Sequence, residues 1–134
     1  MDKIEWKPEF SVGVAEIDEQ HQKLYTIIDE LQNAHRESLD YKAILAILSQ
    51  LVDYSDYHFR TEDNYMIENS YPLFTSHRKE HLAYIKKTGE FITALEKDEA
   101  TLSEDILKFL CEWWQNHIIN SDLKYARYVR SQKK

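Results

Sequence analysis

The chain has 134 residues and a formal net charge of −7, a balance that disfavours non-specific binding to nucleic acid. Two glycines and two prolines are too few for the turns of an all-β fold and point instead to long helices. A single cysteine, Cys111, excludes an intrachain disulfide framework and suits a reducing compartment.

The length suits one domain, residues 1–134, with a hydrophobic core of its own. The N-terminus carries no apolar run of signal-peptide length, and no stretch is long enough to span a membrane. The expected location is therefore the cytoplasm.

Residues 1 to about 17 lack a helical period. Trp6, Phe10, Val12 and Val14 alternate with polar or small residues, and Pro8 and Gly13 interrupt. This predicts an ordered, extended arm whose aromatics cover one end of a bundle, since a lone strand would have no partner. A first helix is expected from Asp18, a good N-cap residue, to a point before Asp40. Its apolar face is His21, Leu24, Ile28, Leu31 and His35.

A second helix is predicted from about Tyr41 to Glu68. Its stripe is Ile44, Leu48, Leu51, Ser55, His58, Glu62 and Met66. The run Asn69-Ser70-Tyr71-Pro72 breaks it, because proline disfavours helix in the residue before it. A third helix follows from about Pro72 to Glu96, with Phe74, His77, His81, Ile85, Thr88 and Ile92 on one face. Gly89 lies inside it at a cost of roughly 1 kcal/mol against alanine, which close packing would justify. Lys97 to Leu102 forms a polar turn. Ser103 then caps a fourth helix striped by Ile106, Leu110, Trp113 and His117, reaching about Asn120, with a further short helix from Asp122. The cations Lys124, Arg127, Arg130, Lys133 and Lys134 suit the negative end of a helix dipole.

Four helices with short connections predict an all-α fold, an up-down-up-down antiparallel four-helix bundle. His21 falls early in the first helix, His58 and Glu62 late in the second, His77 and His81 early in the third, and His117 late in the fourth. That alternation brings all of them to one end of an antiparallel bundle. The pairs His58/Glu62 and His77/His81 are four residues apart and share a helix face. Asp122 is harder to place. Five residues turn an α-helix through roughly 140°, so either a π-bulge loosens the helix after His117 or the chain folds back. His35 lies fourteen residues beyond His21, about 21 Å along a helix, too far to join. Cys111 falls off the ligand face and is expected to be inert.

Five imidazoles and two carboxylates suit metal chemistry. Imidazole binds iron, zinc, copper and nickel, and a carboxylate can bridge two metals. Two six-coordinate metals sharing both carboxylates and one solvent-derived oxygen would keep one open place. A single zinc needs fewer ligands, and no His-Glu-x-x-His motif is present. The Glu-x-x-His pairs of carboxylate-rich di-iron proteins are absent too. An imidazole-rich site offers less negative charge to high-valent iron, which favours reversible oxygen binding over oxygen cleavage. Leu24, Phe59, Trp113 and Ile118 each lie near a ligand in sequence and would line a dry oxygen pocket.

The quoted residues resemble the hemerythrins, in particular the bacteriohemerythrins. The run Ser11 to Leu24 is similar to the family's N-terminal signature, and His58-Phe59-Arg60-Thr61-Glu62-Asp63 to its His-Phe-x-x-Glu-Glu motif, with Asp63 in place of the second glutamate. Tyr71-Pro72 followed by His77-x-x-x-His81, and Trp113-x-x-x-His117-Ile118-x-x-x-Asp122, match as well. The resemblance covers nearly the whole chain. It implies a hemerythrin-like domain holding two iron ions (Fe2+/Fe3+) with an oxo or hydroxo bridge. His77, His81 and His117 would bind one iron, His21 and His58 the other, and Glu62 and Asp122 would bridge. Dioxygen would bind at the iron held by His21 and His58 and be stored as hydroperoxide. The expected role is oxygen carriage or storage, not catalysis, with an oxygen-consuming protein as partner. Alternatives are an oxygen or redox sensor and a di-iron enzyme acting as peroxidase or nitric-oxide scavenger. No signalling domain is appended in these residues, which favours the carrier.

Overall fold

The computed structural model describes residues 3–97 and 104–132. Ser103, most of the Lys97–Leu102 turn, Lys133 and Lys134 lie outside the described residues. Four helical rods run antiparallel: α1 (Ala15–Arg36), α2 (Tyr41–Glu68), α3 (Phe74–Glu96), and a last rod made of α4 (Glu104–Asn116), a π-helical turn (His117–Asp122) and α5 (Leu123–Gln132). There is no strand among the described residues, and no helix there is long and apolar enough to cross a membrane.

The helix ends follow local chemistry. Asp40 caps α2, its side chain accepting from the Ala43 N–H at 2.9 Å. The α1–α2 and α2–α3 connections close alike, with Ser38 and Ser70 at φ 53° in the left-handed region. Leu39 N–H bonds back to the Ala34 carbonyl and Tyr71 N–H to that of Met66, a six-to-one closure usually built on glycine. Two expected starts shift. Helix α3 begins at Phe74 rather than Pro72, because Pro72 and Leu73 complete the turn. Helix α1 begins at Ala15 with Val14 as its N-cap. Asp18, expected to cap it, instead sits in its first turn and accepts from Val12 N–H at 2.9 Å and from the Ser11 hydroxyl.

That carboxylate therefore anchors the arm. Gly13, at φ 78°, makes the bend between the arm and α1, a conformation that favours glycine. The arm does not cover an end of the bundle; it runs back along α1. Ile4 is buried and its N–H donates to Gln32 Oε1 near the far end of α1. Phe10 meets Tyr25 midway. Pro8–Phe10 form a single 3-10 turn, with proline at its start.

Two apolar clusters stack along the bundle. The larger holds Leu24, Ile28, Leu31, Leu48, Leu51, Phe59, Tyr84, Leu110 and Trp114 among others. The smaller, at the other end, holds Val12, Ile17, Met66, Tyr71, Tyr125 and Ala126. In α4 the buried face is Leu107, Leu110, Cys111 and Trp114, one residue out of phase with the expected Ile106–Leu110–Trp113 stripe. Cys111 is thus a core residue, accepting from Gln32 Nε2 at 3.3 Å, and burial pushes its thiol up to about 11. Gly89 has open space where a Cβ would stand, so close packing does not account for it.

Candidate metal centre

Between the two apolar clusters lies a layer of polar side chains. Helix α1 supplies His21, α2 supplies His58 and Glu62, α3 supplies His77 and His81, and the π-helical turn supplies His117 and Asp122. All are buried, His21, His58, Glu62 and Asp122 completely. The π turn answers the awkward spacing. Bonding from i to i+5 widens the turn, so a five-residue step comes back to the same face and places Asp122 beneath His117.

The atoms converge in two groups. Glu62, His77, His81, His117 and Asp122 present donor atoms within 4.8 Å of one another, and so do His21, His58, Glu62 and Asp122. The two carboxylates belong to both. Asp122 Oδ1 is 3.0 Å from His77 Nε2 and 3.1 Å from His117 Nε2, while its Oδ2 is 3.0 Å from His21 Nε2. Glu62 Oε1 lies 3.0 Å from His58 Nε2 and 3.4 Å from His81 Nε2. His35, in the last turn of α1, stands apart.

Short as they are, many of these approaches are not hydrogen bonds. His21 Nε2, His58 Nε2, His77 Nε2, Glu62 Oε1 and both Asp122 oxygens are buried without a hydrogen-bond partner. Each such atom costs about 1–3 kcal/mol if nothing satisfies it. Aromatic nitrogen and carboxylate oxygen pointing into one small volume is a donor set that fits a pair of transition-metal ions.

The electrostatics agree. Burial alone would raise the Glu62 carboxyl, but the neighbouring imidazoles outweigh it and hold it well below its ordinary value. Asp122 is likewise held low: burial and Glu62 push it up, and His117 and His21 push it down further. Burial would lower His21, yet the Asp122 and Glu62 carboxylates lift it to about 9; the same contest lifts His117 to about 10. For His58 burial wins and the ring is lowered. Two buried carboxylates thus hold protons on neighbouring imidazoles in the metal-free layer, positive charge that a bound cation would displace.

Partners outside the layer aim the rings. Gln20 Oε1 lies 2.7 Å from His58 Nδ1, and Glu80 Oε1 lies 3.1 Å from His117 Nδ1. Gln20 is itself held by Thr61, and Glu80 by Ser121. Each tether turns Nε2 inward, the usual way a ligating imidazole is fixed. The two tethers repeat one device: the residue just before a donor on one helix grips a donor on the next. Tyr125 O–H donates to Glu62 Oε2 at 2.6 Å. Burial and the nearby carboxylates push that phenol well above its ordinary value, so it stays a donor. Sequence reasoning did not single out Gln20, Glu80, Tyr125 or Trp114. The one signal was position, Gln20 and Glu80 standing directly before His21 and His81.

Aromatic and aliphatic side chains close over the layer. Phe59 stacks on His81 at 3.9 Å between ring centres, and Trp113, half-buried, stacks on His117 at 4.5 Å. Leu24 and Ile118 are fully buried. Trp114 is also fully buried, 5.8 Å from the His58 ring, its N–H bonded to Tyr84 O–H at 3.1 Å.

An imidazole-rich layer with carboxylates common to two donor groups, inside an antiparallel four-helix bundle, defines a helical protein with a buried cluster suited to metal binding. Comparison with known proteins narrows the class. The family model described as the Hemerythrin HHE cation binding domain matches residues 12–129, and the chain belongs to the hemerythrin family. It is 30% identical to a bacteriohemerythrin of Clostridium acetobutylicum over 124 residues, covering 90% of this chain and 96% of the relative. It is likewise 30% identical over 120 residues to a hemerythrin-like protein of Naegleria gruberi, covering 90% and 88%. The crystal structure of a wild-type hemerythrin superposes with a TM-score of 0.88 at 25% identity, over 96% of this chain and 98% of that one.

Proposed function

We propose that this chain binds dioxygen reversibly at a non-haem di-iron centre, for oxygen carriage or storage, with His21, His58, Glu62, His77, His81, His117 and Asp122 as the ligands. The observation that carries the reading is the unequal division of imidazoles about two shared carboxylates: three fall in one group and two in the other. With Glu62 and Asp122 common to both, the metal beside His21 and His58 has one protein ligand fewer and so a place for a small molecule. When bound, the iron pair would lend electrons to dioxygen and recover them on release.

The chain's own residues do the rest. Leu24, Phe59, Trp113 and Ile118 would keep water and stray protons from the layer, which slows loss of oxygen in a reduced form. Gln20 and Glu80 hold their imidazoles in one tautomer and orientation. Two carboxylates, where carboxylate-rich di-iron oxidases have four, supply less negative charge to stabilise higher oxidation states. That favours binding over cleavage. In a cytoplasmic setting the cargo would pass to an oxygen-consuming protein. Repeated cycles of oxygenation and deoxygenation of the iron-loaded protein test this. A carrier returns the oxygen it took; steady net consumption would identify an enzyme instead.

A further inference from the structure

The donors are sealed from solvent unequally. His21, His58, Glu62 and Asp122 have no exposed surface, whereas His77, His81 and His117 keep 2–3%. The three-histidine group is thus the part of the layer nearest solvent. A cleft of about 240 Å³ opens there, between the first turns of α3 and the π-helical turn. Ser76, His77, Glu80, Asn120, Ser121 and Lys124 line it. Two larger clefts, one along α2 and one between the arm and α1, touch no donor.

The contents of this cleft form a graded path. Asn120 and Ser76 are exposed at the mouth. Glu80 is half-buried, and one of its oxygens meets both His117 Nδ1 and the Ser121 hydroxyl. His77 forms the inner wall, and its Nε2 lies 3.0 Å from Asp122 Oδ1. Asp122 in turn belongs to both donor groups. A hydrated divalent ion sheds water in steps, and a half-buried carboxylate can replace one water before the buried donors complete its shell.

Resting on the two-metal reading above, we infer that this cleft is the port through which divalent metal ions enter and leave the bundle. Glu80 is the transit ligand that takes the ion from solvent and passes it to His77 and Asp122. Lys124, on the same rim, opposes the cation and slows its entry.

The test is kinetic. Metal-free full-length protein is mixed anaerobically with ferrous ion alone, and loaded protein is stripped with a ferrous chelator. Ser76→Trp and Asn120→Trp plug the mouth from exposed helix positions. They should slow loading and stripping alike, by about tenfold or more, because the remaining route needs local opening of the bundle. Final content should stay at two irons and the equilibrium affinity should not move, an outcome that a damaged site would not give. Lys124→Glu should load faster. Gln50→Trp, an equally bulky change in the α2 cleft, should load at the wild-type rate. Plugged variants that load at the wild-type rate, or that lose affinity without a matched change in both rates, overturn the port. Wild-type protein that never takes up two irons overturns the two-metal reading itself.

Discussion

His117→Ala tests the division of the site into two groups. His117 Nε2 stands 3.0 Å from His81 Nε2 and 3.1 Å from Asp122 Oδ1, within the three-histidine group and outside the other. Removing a residue that merely orients a ligating histidine costs about 10- to 100-fold in metal affinity. Loss of the ligand itself should exceed the upper figure, which at roughly 1.4 kcal/mol per tenfold is more than about 2.8 kcal/mol. His21 and His58 are untouched, so iron content should fall from about two per chain to about one, the nearest whole-metal loss for one group. Asp122→Asn strikes both groups and should weaken both metals. His35→Ala, about 21 Å along α1 from His21, should keep both. The assay is anaerobic loading, desalting and metal analysis. Far-UV circular dichroism runs alongside, because Trp113 also loses its stacking partner in the alanine variant. Two irons retained by His117→Ala at wild-type affinity would refute the grouping, as would a single iron lost from Asp122→Asn.

Glycine and serine occupy each other's best places, so Gly89→Ala in α3 and Ser38→Gly at the left-handed turn should each stabilise the fold by about 0.5–1 kcal/mol, read from urea midpoints. A loss of stability in Gly89→Ala would mean that the open space beside it is used. The metal-free protein should also show a distinctive pH profile. His21 and His117 are raised to about 9 and about 10 from an ordinary 6.5, so their stabilising contribution is whole below pH 6.5 and is lost as pH climbs through those values. Glu62 and Asp122 are depressed, so theirs is whole above their ordinary 4.5 and 3.8 and is lost as pH falls further. Thermal melting of the metal-free protein should therefore peak near pH 6.5, falling below it because His58 is lowered and its unfolded form takes the proton first, and declining towards about 10 as His21 and His117 titrate; bound metal, which replaces those protons, should abolish the alkaline decline. A metal-free protein with a flat alkaline profile contradicts the coupling.

The helices were largely legible because their signals are local. Asp40 before an apolar period, and Asn69 to Pro72 after it, bound α2 where the spacing predicts. The convergence of the candidate side chains was legible in part for the same reason: the one-turn pairs His58/Glu62 and His77/His81 keep a shared face in three dimensions. What escaped depends on neighbours distant in sequence. Asp18 is a good N-cap residue, but Ser11 and Val12 fold back to take its carboxylate, and α1 starts a turn earlier. With adjacent tryptophans at 113 and 114, a period of three and four fits either phase, and only tertiary contacts, the Trp114 N–H bond to the Tyr84 hydroxyl and its approach to the His58 ring, choose Trp114. Gln20 and Glu80 act across helices, 38 and 37 residues from the rings they hold. Tyr125 reaches Glu62 from 63 residues away. No periodicity records such pairings.

The most direct trial is an optical titration of anaerobically loaded protein with dioxygen, with iron counted in the same sample. About two irons per chain and a charge-transfer band that appears with oxygen and vanishes under vacuum, over many cycles, is the expected result. A chain that takes up one metal or none, or that stays colourless in air when fully loaded, would contradict the account.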